Sequence, residues 1–260
     1  MATLTEIDDR GYTFETHFQP GQYWTMAEKD QVRNELRRVG EACLPIMPNY
    51  QCFSDSPSAF DDKIVIIARQ EPASRIVAFT SASLLVIDDF GTVLDVGLTC
   101  VLPEQRRQAF QFRLFARLLT LICKKHPKGI WVTNISGTPS SLASIALAMT
   151  DVFPSPDVAV PQETHLRIAH AVSLHHRAHL SISDDAIFTP ESFVFQNSAI
   201  PGSPWHRDIT DPQYQHRHVA TNDYYLAMLA QQPGNEVLQV GYVDPPKVQS
   251  IIASRYGGSI

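Results

Sequence analysis

Asp95 stands inside an apolar run, GTVLDVGLTCVL. A carboxylate there is expensive to bury unless it is paired, faces a cleft or sits at the wet start of a strand, so it is a candidate for acid–base work. Just past the run, Arg106, Arg107 and Arg113 gather where a helix should open. Guanidinium groups pair with phosphate and carboxylate, and the cluster reads as a local anion site. The histidines offer a different chemistry. His175 and His179 have i,i+4 spacing with His176 beside them, and His216 and His218 share one side of an extended segment. Such pairs ligate metals, but no acid stands in the HExxH position, and a solvated histidine-rich helix with no metal is the plainer expectation. His206 and Asp208 in HRDIT suit metal or acid–base work, or a surface loop. Cys43, Cys52, Cys100 and Cys123 lack ligand spacing and read as buried free thiols.

The elements that must position these residues alternate. Residues 93–101 are rich in β-branched side chains, as a buried strand should be. Pro103 ends the strand and is pre-shaped for a helix start, and no Pro or Gly interrupts Glu104 to His126. Phe110, Leu114, Leu118 and Leu121 recur there at helical spacing. GIWVTNIS is the next strand, and Ser136 or Thr138 caps a helix entering at Pro139 and running to Thr150. This βαβα order makes the two strands candidate neighbours in a sheet.

Upstream, 11–18 alternates as a strand and Met26 to Leu44 has helical spacing of Val32, Leu36, Val39 and Cys43. The loop YQCFSDSPSAF carries Tyr50, Phe53 and Phe60, which either line a cleft or pack on the helix. KIVIIAR and RIVAFTSASLLVI are strands with short connections. Downstream of Thr150 the texture loosens. A helix is expected over 166–180, a strand in SFVFQNSA, a short helix over 222–229, a strand over 236–243 and a short helix over 246–254. The expected fold is α/β, with a mixed, mostly antiparallel central sheet flanked by helices. Residues 10–150 form its core, and residues 151–260 are an elaborated C-terminal half packed on the core, placed to complete the sheet and a substrate cleft.

The chain has 260 residues, 44% hydrophobic, with 27 acidic against 21 basic residues and a formal charge of −6. That balance gives no general electrostatic case for nucleic acid. No apolar run approaches a membrane span and MATLTEIDDR lacks a leader pattern, so a soluble, cytoplasmic protein is expected.

The element order, with VGLTCVLPEQRRQAFQFRLFARLL and then WVTNIS, resembles the GNAT acyltransferase superfamily over about residues 10–150. The resemblance implies acyl-CoA-dependent transfer of an acyl group to an amine or hydroxyl of a small metabolite, with acetyl-CoA or a longer acyl-CoA as cofactor. In that family the central strand splays from its parallel neighbour, and its exposed backbone holds the pantetheine arm. Cys100, Val101 and Leu102 match that edge, Gln105 to Phe110 match the pyrophosphate turn, and Arg106 matches the family's basic residue. Asn134 matches an Asn that often ends the next strand. Unpaired N–H groups at a helix start suit a pyrophosphate. In that family the base is often a carboxylate on the central strands, here Asp95, or ordered water, and the acid is often a Tyr near the cofactor sulfur. The helix from Pro139 to Thr150 has no Tyr so placed, a departure from the pattern, and Tyr224 or Tyr225 of the C-terminal half is the candidate instead. Where the family has glycines, this chain has Arg107, Ala109 and Gln111. Glycine lets backbone approach phosphate closely, so Arg107 and Gln111 obstruct it unless they point outward or pair with it. The alternatives are a GNAT-like scaffold re-used for a CoA-independent decarboxylation, isomerisation or cyclisation, ligand binding without catalysis, or a non-catalytic interaction domain.

Overall fold

The computed structural model describes residues 3–8 and 10–256. The chain divides into two compact units. One runs to Leu85 and resumes over Val96–Lys125; the other contains Val86–Asp95 and the chain from His126 onward.

In the first unit, strands β1 (Thr3–Ile7), β2 (Tyr12–Phe18), β3 (Lys63–Gln70) and β4 (Arg75–Ile87, to Leu85) pair antiparallel in chain order, and the end of β5 (Gly91–Val101) lies next to β4. Alternation along β2 sorts its neighbours, because successive side chains point to opposite faces. Tyr12 and Phe14 meet Phe110 of helix α2 (Phe110–Lys125), and Phe18 lies beneath Lys125. Glu15, on the other face, joins Arg69, which also holds Glu35 of helix α1 (Met26–Cys43). Helix α1 opens on a capping box: Thr25 accepts the Glu28 N–H, and Glu28 accepts the Thr25 N–H at 2.7 Å.

One expectation needs correcting here. Helix α2 does not start after Pro103. A 3-10 turn spans Pro103–Gln105, and Arg107 and Ala109 then take left-handed backbone conformations, with φ of 68° and 58°, so the helix opens only at Phe110. Of the two readings of the aromatic loop, the structure has packing. Tyr50, Phe53 and Phe60 are buried, with Phe53 edge-on to Phe79 and Phe60 edge-on to Trp24.

In the second unit, the start of β5 pairs parallel with β6 (Ile130–Ser136) at Leu94↔Val132 and Asp95↔Thr133. Strand β10 (Glu236–Val243) lies antiparallel against β6 and is followed by β9 (Val194–Gln196) and β8 (Ile187–Thr189). A further strand, β7 (Thr150–Phe153), also pairs with β10. Helix α3 (Pro139–Ala148) therefore stops short of Thr150, whose hydroxyl donates to the Tyr242 carbonyl at 3.0 Å. Helix α4 covers Glu163–His175 rather than 166–180, and leaves His176 and His179 beyond its end. Helix α5 (Val219–Leu229) packs Tyr225 and Leu229 against Leu142, Ala143, Val194 and Val237, and α6 (Pro245–Tyr256) follows β10. The fold is thus α/β, with mostly antiparallel pairing and one parallel pair between β5 and β6. That parallel pair is the one the βαβα pattern implies.

Candidate functional site

The turn joining β5 to α2 lies wholly in the first unit. Just past the end of β5, Leu102 N–H still holds the chain to β4 through the Val77 carbonyl at 3.0 Å. Gln105 N–H closes on Leu102 and Arg106 N–H on Pro103, which turns the chain sharply. The Tyr12 hydroxyl lies 2.9 Å from Gln105 Oε1 and 3.1 Å from Gln108 Oε1, and Gln108 Nε2 donates to Gln105 Oε1 at 2.9 Å. These contacts tie the turn to β2. Arg106 and Arg107 are exposed on it. The helix itself begins with the Arg113 N–H to Ala109 carbonyl bond, at 2.9 Å. Main-chain N–H groups of the first turn of a helix have no acceptor inside it, and they sit at the positive end of the helix dipole.

Left-handed backbone normally costs a non-glycine residue about 1 kcal/mol. Arg107 and Ala109 occupy two of the three positions where the resembling family has glycine, and both adopt it. The third, Gln111, is an ordinary exposed helical residue. Both residues thus take a backbone conformation that glycine adopts at the least cost. Arg113 departs from the anion cluster expected of it. It is buried, paired with Asp8, and lies against the rings of Tyr12, Phe14 and Phe110 at 5.2, 4.8 and 4.6 Å.

Of the strand edge, Leu102 and Cys100 are buried and Val101 is half-buried. The Cys43 thiol donates to the Val101 carbonyl at 3.2 Å. One lone pair of that carbonyl is thereby taken from any arm laid along the edge.

The remaining predicted residues lie in the second unit. Asp95 is 0% exposed, and the Thr133 hydroxyl donates to its Oδ1 at 3.0 Å. One of its two carboxyl oxygens is thus held by a buried hydroxyl. Asn134 is also buried, and its side chain is turned inward: Nδ2 donates to Gln239 Oε1 at 2.9 Å. Gln239 Nε2 donates to the Leu142 carbonyl at 3.1 Å and to the Tyr225 oxygen at 2.6 Å, and Tyr225 donates to the Pro154 carbonyl at 2.8 Å. Burial raises Tyr225 beyond the usual phenol range. Tyr224 is half-buried beside it, with ring centroids 5.1 Å apart, and burial raises its phenol too. Residues 100–109 are thus brought together as one continuous edge and turn. Asp95 and Asn134 sit on neighbouring strands, while Tyr224 is on α5.

One group escaped the sequence reading. Glu236 opens β10 at 6% exposure, and burial pushes its carboxyl up to about 7 against the Ser198 hydrogen bond, 2.5 Å long, and the charge of Arg207. Its signal was an acid directly before the apolar run VLQVGYV. Among the described residues no group of three or more His, Cys, Asp or Glu is placed to hold a metal, and no helix is long and apolar enough to cross a membrane.

No protein-family model and no curated protein matches the chain. Solved structures do resemble it. A ribosomal-protein-S5-alanine acetyltransferase from Vibrio fischeri is 8% identical, covering 93% of this chain and 97% of that one, with a TM-score of 0.42. A putative GNAT-family acetyltransferase from Desulfovibrio desulfuricans is 9% identical over 90% and 99%, with a TM-score of 0.39. A GNAT family acetyltransferase from Brucella melitensis, solved in complex with acetyl-CoA, is 17% identical over 39% and 69%, with a TM-score of 0.33.

Proposed function

We propose that the protein transfers an acyl group from an acyl-CoA to an amine or hydroxyl of a small metabolite, and that the β5–α2 turn receives the pyrophosphate. The observation that carries this reading is the left-handed backbone of Arg107 and Ala109 directly before the first turn of α2, whose main-chain N–H groups have no acceptor inside the helix. That conformation bends the chain sharply into the helix start, and the exposed Arg106 supplies a charge-assisted partner. The thioester supplies the activated acyl group. The chain's own contribution in the first unit is to bind and orient the phosphates; Asp95 and Tyr224, the candidate base and acid, belong to the second unit.

Calorimetric titration with acetyl-CoA and a longer acyl-CoA tests the reading. Saturable binding is expected, and Arg106→Ala should weaken it roughly 10- to 150-fold, the loss of a ~1.5–3 kcal/mol charge-assisted contact. A second reading, a GNAT-like scaffold re-used for CoA-independent small-molecule chemistry or binding, is favoured by the complete burial of Asp95. Absence of binding by both thioesters would replace the first reading with the second.

A further inference from the structure

Cys43 ends α1, and Cys100 lies on β5 beside Val101. The two thiols hydrogen-bond each other, and Cys43 Sγ also stands 3.2 Å from the Val101 carbonyl oxygen. Their access differs: Cys100 is 2% exposed, whereas Cys43 is only half-buried. One sulfur therefore meets solvent with the other directly behind it. We propose that Cys43 and Cys100 are a redox-active dithiol, in which Cys43 is oxidised by a hydroperoxide and Cys100 resolves the product into an intramolecular disulfide.

The surroundings favour the first sulfur as the nucleophile. The Cys100 hydrogen bond, with help from the Arg106 charge and the Val101 backbone, holds the Cys43 thiol below its ordinary range; burial and Glu104 act the other way. Cys52 is the internal contrast. It is fully buried and its thiol is pushed up to about 12, so it has neither access nor thiolate character. The chemistry balances in two steps. The Cys43 thiolate attacks one peroxide oxygen, the O–O bond breaks, and the departing hydroxide takes a proton to leave as water, giving a sulfenic acid. The Cys100 sulfur then attacks Cys43 sulfur, a disulfide bond forms as the S–O bond breaks, and the hydroxyl leaves as water with the Cys100 proton. Two thiols are oxidised by two electrons and one hydroperoxide is reduced. Neither step needs an acyl-CoA.

The test is equimolar hydrogen peroxide added to the reduced full chain, followed by maleimide capping, denaturation, thiol counting and peptide mapping. Two of the four cysteines should become uncappable and appear as a linked Cys43–Cys100 peptide. Cys43→Ser should consume peroxide about tenfold more slowly, because the accessible thiolate is gone. Cys100→Ser should stop at a Cys43 sulfenic acid that dimedone captures. Circular dichroism checks that both variants fold, and the mapping of the unaltered chain stands without them. A bridge involving Cys52 or Cys123, four intact thiols, or undiminished peroxide consumption in Cys43→Ser would overturn the assignment.

Discussion

Arg113 carries its charge at 6% exposure, which is tolerable only because Asp8 neutralises it and three aromatic rings surround it. Asp8 is itself pinned, with its Oδ1 accepting the N–H groups of Arg10 and Tyr12 at 3.0 and 2.9 Å. Arg113→Ala removes both the cation and the packing of its stem, and leaves Asp8 without its counter-charge. The expected loss of stability is about 3–5 kcal/mol, measured by urea unfolding, whereas an exposed arginine such as Arg38 should cost little. By residue type alone Arg113 joins Arg106 and Arg107 in one basic cluster. Its spacing says otherwise, since it lies three residues from Phe110 and shares that face of the helix. That an acid interrupts an apolar run at Asp95 was readable, but a wet strand start was as open as the burial observed, and its partner Thr133 was hidden because that contact depends on strand register.

At the scale of elements, what local chemistry dictates was readable and what distant pairing dictates was not. The β-branched runs of β3 to β6 and the apolar stripe of α2 announce themselves. The Thr25–Glu28 capping box was equally open to reading. By contrast β1, TLTEI, is largely exposed and gains its form from its ladder with β2. The brief β7 depends likewise on β10. The turn before α2 misled because a stretch without Pro or Gly implies helix, while two of its residues adopt the conformation glycine usually supplies. Elsewhere glycine is required by space. A Cβ at Gly97 of β5 would lie 2.5 Å from Gln51 Nε2 and 2.6 Å from the Ser81 carbonyl oxygen. Gln51 cannot easily retreat, because its amide holds Ser83 and Ser81, each at 2.9 Å. Gly97→Ala should therefore lower stability by about 1–3 kcal/mol, visible as a lower denaturation midpoint. An unchanged midpoint would mean that β5 shifts without cost.

For the whole molecule, the C-terminal half supplies β10 to the flank of β6, with Val237 opposite Ser136. No local pattern fixes that register, although the run EVLQVGYV identifies the strand. Its first residue, Glu236, makes global stability depend on pH in an unusual direction. The folded carboxyl holds its proton up to about 7, above its ordinary value of 4.5. The folded state therefore binds more protons than the unfolded state within that window. Stability contributed by this group is complete below about 4.5, falls as pH rises towards 7, and is then constant, a loss on the order of 3 kcal/mol. Glu15 works in the opposite direction: its hydrogen bond with His17, with help from Arg69, lowers its carboxyl, so its contribution is lost as pH falls. Glu236→Gln keeps a partner for Ser198 and has no charge to bury. Urea midpoints taken across this range should show a flatter dependence for the variant and a higher midpoint than the parent near pH 8. Parallel profiles would show that Glu236 ionises without cost.

The buried amides and phenol around Gln239 form a chain of donors that runs one way, from Asn134 through Gln239 and Tyr225 to a main-chain carbonyl. A proton relay needs a terminal group able to release a proton as well as accept one, and a peptide carbonyl has none to release. The chain is therefore a dead end for proton traffic. Tyr225 holds its hydrogen against Pro154 while its oxygen is occupied by Gln239, so this phenol fixes the buried amides in place and passes no proton onward.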